Sequence, residues 1–507
     1  MTDRSTLQPL LAEWAGEAVA LLAPSTPPLT YRALLRQIEE TVAALNRVGI
    51  GRNDRVGIVL PNGPEMATAF LAVASGAAAA PLNPGYRADE FEFYLSDLNA
   101  KAVIIEEGST SPAIEVANKL GVAIFTLKPL PAEGAGRFAL DTGAAPEKPP
   151  AGGGLAGPDD VALVLHTSGT TSRPKIVPLT QRNVCASARN ISQTLALTPQ
   201  DRGLVIMPLF HIHGLIAAVA APLSAGGSVF CSPGFNALKF FSWMNEAKPS
   251  WYTAVPTMHQ AIIARAGHNL EIIKSNPLRF MRSSSSSMPP QVIAELENIF
   301  SAPLIEAYGM TEAAHQMASN PLPPKTRKPG SVGLAAGPDV QIMDEVGNLL
   351  PFGVVGEIVI RGENVTLGYE NNPKANGEAF TNGWFRTGDQ GVKDAEGYVT
   401  LTGRLKEIIN RGGEKIAPRE VDEVLMDHPA VQQVVTFGIP HEKLGEEVGA
   451  VVVLREGMSA TERELREFAA TRLADFKVPK KLLFMDEIPK GATGKLQRIG
   501  LAKKLGL

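Results

Sequence analysis

Apolar positions recur at helical and then at strand spacing along the first part of the chain. Tyr31 to Val48 follows the period of an amphipathic helix, and Arg55-Val56-Gly57-Ile58-Val59-Leu60 reads as a strand. Pro64 to Ala79 is expected to be a second helix and Ala102-Val103-Ile104-Ile105 another strand. Such βα alternation predicts an α/β fold, with a mostly parallel sheet covered on both faces. Between Pro129 and Asp159 the composition shifts to Ala, Gly and Pro, including Gly152-Gly153-Gly154, which predicts an exposed linker. A second βα series is expected from Val161 to about Ala302, opening with the buried strand Val161-Ala162-Leu163-Val164-Leu165. Short strands and turns around Val332 to Gly368 predict a smaller all-β, barrel-like part. The carboxyl-terminal stretch reads as a compact α+β unit, with helices at Arg419–Asp427 and Ala460–Ala474. No solenoid-type repeat is present.

At 507 residues, 44% of them hydrophobic, the chain can build several compact units with a sizeable core. Its net charge of −4 gives no electrostatic ground for a nucleic-acid or anionic-membrane partner. Cys185 and Cys231 lack metal-like spacing, so a reducing compartment is expected rather than a disulfide framework. Met1 to Gly16 mixes Asp3, Arg4 and Glu13 into weak hydrophobicity, unlike a signal peptide, and no apolar run suits a membrane span. The end Lys504-Leu505-Gly506-Leu507 matches no peroxisomal or prenylation signal, so a cytoplasmic protein is expected.

Six segments carry candidate chemistry. Thr167-Ser168-Gly169-Thr170-Thr171-Ser172-Arg173-Pro174-Lys175 follows a strand and offers hydroxyls, a permissive glycine and a cation, a composition suited to polyphosphate. It is not a Walker loop, because Arg173-Pro174 precedes the lysine. Ser283 to Ser287 follows the strand-like Leu278-Arg279-Phe280-Met281 and precedes an amphipathic helix from Pro290 to Phe300, so it is expected to line a crevice at a strand end. Glu306-Ala307-Tyr308-Gly309-Met310-Thr311-Glu312 is expected after the strand Pro303-Leu304-Ile305; Tyr308 could stack on a base, and Thr311 and Glu312 offer hard oxygens to magnesium. Trp384-Phe385-Arg386-Thr387-Gly388-Asp389 is expected to set a carboxylate after a tight turn, where it could accept ribose hydroxyls. Gly403 to Ile416 is dense in charge and glycine, and Pro489 to Arg498 places Lys495 on a glycine-flanked loop.

In order and spacing these segments resemble the adenylate-forming superfamily of acyl-CoA synthetases, adenylation domains and luciferases, from about Leu29 to Lys504. The resemblance implies a large amino-terminal AMP-binding domain (1–403) of two βα sheets and a β-barrel-like part, a hinge (404–406) and a small mobile lid domain (407–507). ATP, magnesium and coenzyme A are the implied substrates and ion, and a monomer or weak homo-oligomer is expected. Ser168, Gly169, Thr170, Thr171 and Lys175 would hold phosphates. Glu312 and Thr170 would hold magnesium, with Thr311 near the α-phosphate. Glu306, Ala307, Tyr308 and Ser286 would border adenine, and Asp389 and Arg404 the ribose. Lys495 would bridge the acid and the α-phosphate, and Lys406 would be the pivot. His211, Gly412 and Gly413 would border the pantetheine tunnel.

Pro208 to Leu215, Ala307 to Pro321, Ile409 to Ile416 and Phe476 to Lys480 are similar to oxalate–CoA ligases of plants and fungi. That likeness puts His213, His315, Ser285 and Ser284 against the acid, with a histidine able to carry charge. Burying such groups unpaired beside a fatty chain would be costly, whereas a small dianion would use them. His211 and His213 form a His-x-His pair with no third ligand at suitable spacing, so no metal is expected there. Three competing readings are a ligase for malonate or another short acid, a luciferase-type oxidoreductase, and a nucleotide-binding protein without catalysis. A malonate pocket would need an arginine at the distal carboxylate; Arg282 is the nearby candidate, though its position in a strand argues against it.

Overall fold

The structure, a computed structural model, describes residues 4–14, 16–143, 150–167, 174–489 and 498–507. Tyr31–Arg47 forms the first long helix, capped by the Thr30 hydroxyl, which accepts from the Ala33 amide at 3.3 Å. Leu34, Ile38, Val42 and Leu45 bury one face of it, as the apolar spacing requires. The second helix is shorter than its alanine-rich sequence suggests. It spans Pro64–Ala74, and Ala78–Pro81 is a strand beside Arg55–Val59. The chain breaks between them at Gly76, where a Cβ would stand 2.7 Å from the Val42 methyls. A run of small buried residues has no period by which to tell helix from strand.

Two large sheets result. The seven-stranded one has a parallel centre, Ala123–Pro129, Ala102–Glu106, Arg55–Val59, Ala78–Pro81 and Val161–Thr167, with antiparallel edges Phe138–Asp141 and Lys175–Thr180. Val161–Thr167 therefore completes the first sheet, with Leu163 opposite Ala79, and does not open the second. The nine-stranded sheet takes its parallel centre from Leu304–Met310, Phe280–Ser283, Trp251–Ala254, Arg202–Val205, Ser228–Cys231 and, from the amino-terminal region, Val19–Ala23. Neither crossover leaves a periodicity in the sequence.

In the Pro129–Asp159 stretch the described parts, 129–143 and 150–159, make docking contacts, unlike a free linker. Ala135 and Phe138 are buried, and the Gly152 carbonyl accepts from Arg52 N–H at 2.8 Å. Asp339–Met343, Gly356–Arg361, Phe380–Thr381, Trp384–Lys393 and Val399–Arg404 form the smaller antiparallel sheet. A third α+β layer follows: Glu414–Ile416, Ile409–Arg411, Gly445–Leu454, Val431–His441 and Lys481–Phe484, covered by the helices Pro418–Met426 and Glu462–Ala470. Arg419 reaches back from it and donates to the Leu401 carbonyl at 3.0 Å. Among the described residues no helix is long and apolar enough to cross a membrane.

Candidate active site

The parallel strands of the second sheet end side by side, where open α/β sheets present their ligand crevice. Thr253 lies opposite Arg282, Arg282 opposite Ile305, and Ser283 opposite Glu306. Leu304–Met310 continues further than its apolar start suggests, so Glu306, Ala307 and Tyr308 lie in the strand, not after it. Thr311–Ala313 is a single 3-10 turn, and Ala314 and His315 then take positive φ values of 47° and 100° before the chain returns as His315–Ser319. This reversal sets His315 opposite Met310 and Gln316 opposite Gly309.

One group of side chains forms around Asp389. Its carboxylate accepts from the buried Tyr308 hydroxyl on one oxygen and from Arg404 Nε at 3.0 Å on the other. Asp389 sits within the strand Trp384–Lys393, opposite Arg404, and not after a tight turn; Gly388 at φ 74° produces the local irregularity instead. The Asp389 charge holds the Arg404 guanidinium above its ordinary range. A second group surrounds the buried Glu312, which accepts from Tyr369 hydroxyl at 2.9 Å. Lys175 Nζ lies 4.3 Å from the centre of the Tyr369 ring. Burial pushes the Glu312 carboxyl up, against hydrogen bonds from its own backbone and Tyr369 and the charges of Arg404 and Lys175. Asn364 staples this turn by donating to the Ala313 and Gln316 carbonyls at 2.8 and 2.9 Å.

The third group is almost wholly buried. His213 begins a π-helix, His213–Ala220, and its ring stacks on His315 with centroids 4.7 Å apart and planes 19° apart. Arg282, fully buried, extends from its strand to both: Nη1 lies 3.2 Å from His315 Nε2 and 3.5 Å from His213 Nε2, and Nη2 donates to Gln316 Oε1 at 3.2 Å. His213 Nε2 also meets Thr253 Oγ1 at 2.6 Å, and its Nδ1 meets Ser285 Oγ at 3.1 Å. Guanidinium only donates, so His315 Nε2 must accept and that ring is neutral. The fixed positive charge of this cluster is Arg282, whose guanidinium is taken up by these side chains inside the fold. Burial pushes its pKa down to about 9, which leaves it charged at neutral pH.

The remaining candidates have other partners. Ser284 is fully buried and donates to the Ala307 carbonyl at 2.9 Å, tying the serine run to the next strand. Ser286 is exposed and donates to the Ser285 carbonyl. Glu306 accepts from the Gly330 amide at 3.1 Å, and burial pushes its pKa up to about 8. Thr311 opens the turn that carries Glu312. His211 Nδ1 accepts from the His213 amide at 3.3 Å. Gly412 and Gly413 form a hairpin turn whose Gly412 amide donates to the Leu444 carbonyl. Lys406 is exposed in the single turn Leu405–Glu407. Beyond it, Arg498 contacts Glu407 at 3.4 Å, Asp422 at 2.5 Å and the Thr436 carbonyl at 2.9 Å. Ser168, Gly169, Thr170, Thr171 and Lys495 lie outside the described residues. Among the described residues no group of three or more His, Cys, Asp or Glu could hold a metal. Thr253, Tyr369 and Asn364 were not anticipated, since they come from segments without a recognisable motif.

Residues 11–370 match the family model described as AMP-binding enzyme, and residues 420–495 match its C-terminal domain. The chain belongs to the AMP-binding enzyme family. This AMP-binding enzyme is 46% identical over 505 residues to an oxalate–CoA ligase of Arabidopsis thaliana, covering 98% of each chain. It is 43% identical to an oxalate–CoA ligase of Saccharomyces cerevisiae, covering 96% of this chain and 95% of that one. ATP-bound MatB from Rhodopseudomonas palustris superposes on it with a TM-score of 0.88 at 28% identity, over 99% of each chain.

Proposed function

We propose that this AMP-binding enzyme is an AMP-forming oxalate–CoA ligase. The carrying observation is the stacked His213–His315 pair over the buried, charged Arg282, a wall that suits a small dianion and not a fatty chain. The near full-length likeness to oxalate–CoA ligases supports the same substrate.

In this reading one oxalate oxygen attacks the α-phosphorus of ATP, giving oxalyl-adenylate and diphosphate. The thiol of coenzyme A then attacks the oxalyl carbonyl, giving oxalyl-CoA and AMP. Two anions must meet in the first step, so preorganised positive groups supply the main advantage. Lys175, with Ser168, Gly169, Thr170 and Thr171, holds the outer phosphates, and Lys495 bridges the attacking carboxylate and the α-phosphate. Asp389, fixed by Tyr308 and Arg404, receives the ribose hydroxyls, while Ala307 and Ser286 border the base. Thr311 lies toward the α-phosphate, and His213, Ser285 and His315 receive the far carboxylate.

The donor set fits magnesium. Glu312 is a single carboxylate with one oxygen taken by Tyr369, and magnesium carried by a nucleotide needs only one or two protein oxygens. Glu312 and Thr170 would hold it, and it would neutralise phosphate charge. The domain division at 404–406, pivoting at Lys406, belongs to the same proposal. In it the small domain removes Lys495 after the first step and brings Gly412 and Gly413 to the tunnel beside His211. We also place the protein in the cytoplasm, a reading supported by two buried cysteines, Cys185 and Cys231, that form no disulfide.

The test is thioester formation by the purified protein with ATP, magnesium and coenzyme A across oxalate, malonate, acetate, succinate and a medium-chain fatty acid. Activity confined to oxalate is expected. Turnover of malonate but not oxalate would keep the chemistry and overturn the substrate.

A further inference from the structure

Among the described residues Arg282 is a charge without a counter-charge. Its partners are His213, His315, Thr253 and Gln316, and no carboxylate is among them within the described residues. Its Nε is buried with no hydrogen-bond partner among the described residues. Leaving an ion unpaired in the interior costs several kcal/mol, so a group of this kind is retained where something else supplies the opposite charge.

The hydrogen bonds show where that charge would arrive. Arg282 can only donate, so Thr253 Oγ1 accepts from it at 3.4 Å and turns its own proton to His213 Nε2 at 2.6 Å. His213 Nδ1 is then the protonated nitrogen and donates to Ser285 Oγ, which turns the serine proton onward. Ser285 itself is held at φ 74°, an uncommon backbone conformation for a residue with a side chain, at the half-buried edge of the cluster. On the second branch Arg282 donates to His315 Nε2, which places that ring's proton on Nδ1. Every donor in both branches points away from the guanidinium, the polarity an anion requires.

We infer that Arg282 is the positioning and charge-selecting residue of the acyl pocket. It fixes the donor direction of His213, Ser285 and His315, and its positive charge selects an acid carrying a second carboxylate without touching that acid. The inference rests on the oxalate reading of the same pocket.

The test compares KM and kcat for oxalate with those for oxamate, a near-isostere with one negative charge fewer, in the wild-type protein, Arg282→Met and Arg282→Lys. Wild type should prefer oxalate. Arg282→Met should raise the KM for oxalate roughly 100-fold, the order expected for a charge acting through one intervening group in a low-dielectric interior, with the KM for ATP little changed and the oxalate preference largely gone. Arg282→Lys, which keeps the charge, should retain more of that preference than Arg282→Met. An unchanged preference in folded Arg282→Met, or equal loss in both variants, overturns the inference. If wild type makes no thioester from oxalate, it is the substrate reading that has failed. Should Arg282→Met not fold, the imidazole nitrogen spectrum of the wild-type protein decides at neutral pH. His213 and His315 are expected to carry no proton on Nε2, and a proton on either overturns the inference.

Discussion

A methyl group on Gly309 would stand 2.0 Å from the backbone carbonyl oxygen of His315, and 3.0 Å from its Nδ1. The two strands of the reversal at Thr311–Ala314 approach so closely because position 309 has no side chain. Gly309→Ala should therefore push His315 off His213 and Arg282. Overpacking of this kind costs about 1–3 kcal/mol. A lowered melting temperature is expected, with a KM for oxalate that rises more than the KM for ATP. Equal changes in both would show that the displacement is not local to the histidine.

Tyr369→Phe removes the hydroxyl that donates to Glu312. That bond favours the charged carboxylate, so its loss moves a group already pushed up by burial still higher. The acid limb of the pH profile for adenylate formation should shift to higher pH. A loss of about 1 kcal/mol corresponds to roughly fivefold lower activity on that limb. A profile that falls uniformly at all pH values would separate Tyr369 from the ionisation of Glu312.

Glu306 has a pKa pushed up to about 8 from an ordinary 4.5. Between those values the folded protein binds a proton that the unfolded chain does not, so this group's contribution to stability falls as pH rises. Glu306→Gln should flatten the slope and raise the melting temperature near about pH 8 relative to wild type. Melts at mildly acidic and mildly alkaline pH are the measurement, and parallel curves for the two proteins would refute the assignment.

Lys495→Ala should abolish adenylate formation from oxalate and ATP while leaving thioester formation from presynthesised oxalyl-adenylate largely intact. Diphosphate release and coenzyme A acylation, followed separately, check this. Equal loss of both steps would mean that the lysine does not divide its work between two domain arrangements.

How much of this was readable depends on what each residue's role needs. The Tyr31–Arg47 helix required only a period, which the chain displays locally. The strand Val161–Thr167 was recognisable as a strand, but its place beside Ala78–Pro81 depends on a crossover of about eighty residues, for which the sequence carries no local sign. His213 and His315 stand in recognisable motifs. The strand position of Arg282 argues against its reaching an acid's far carboxylate, and only its neighbours Thr253 and Gln316 make its burial intelligible. Tyr369 lies 57 positions from Glu312, and a single hydrogen bond across that gap leaves no trace in composition or spacing.

The grip of Arg498 has a mechanical consequence. All three of its partners, Glu407, Asp422 and the Thr436 carbonyl, belong to chain beyond Lys406. The arginine three positions after Lys495 is thus bolted to the moving side of the proposed pivot. In the proposed pivot a modest twist at Lys406 would be geared up along that arm, so a small change in one backbone angle would become a long excursion for Arg498.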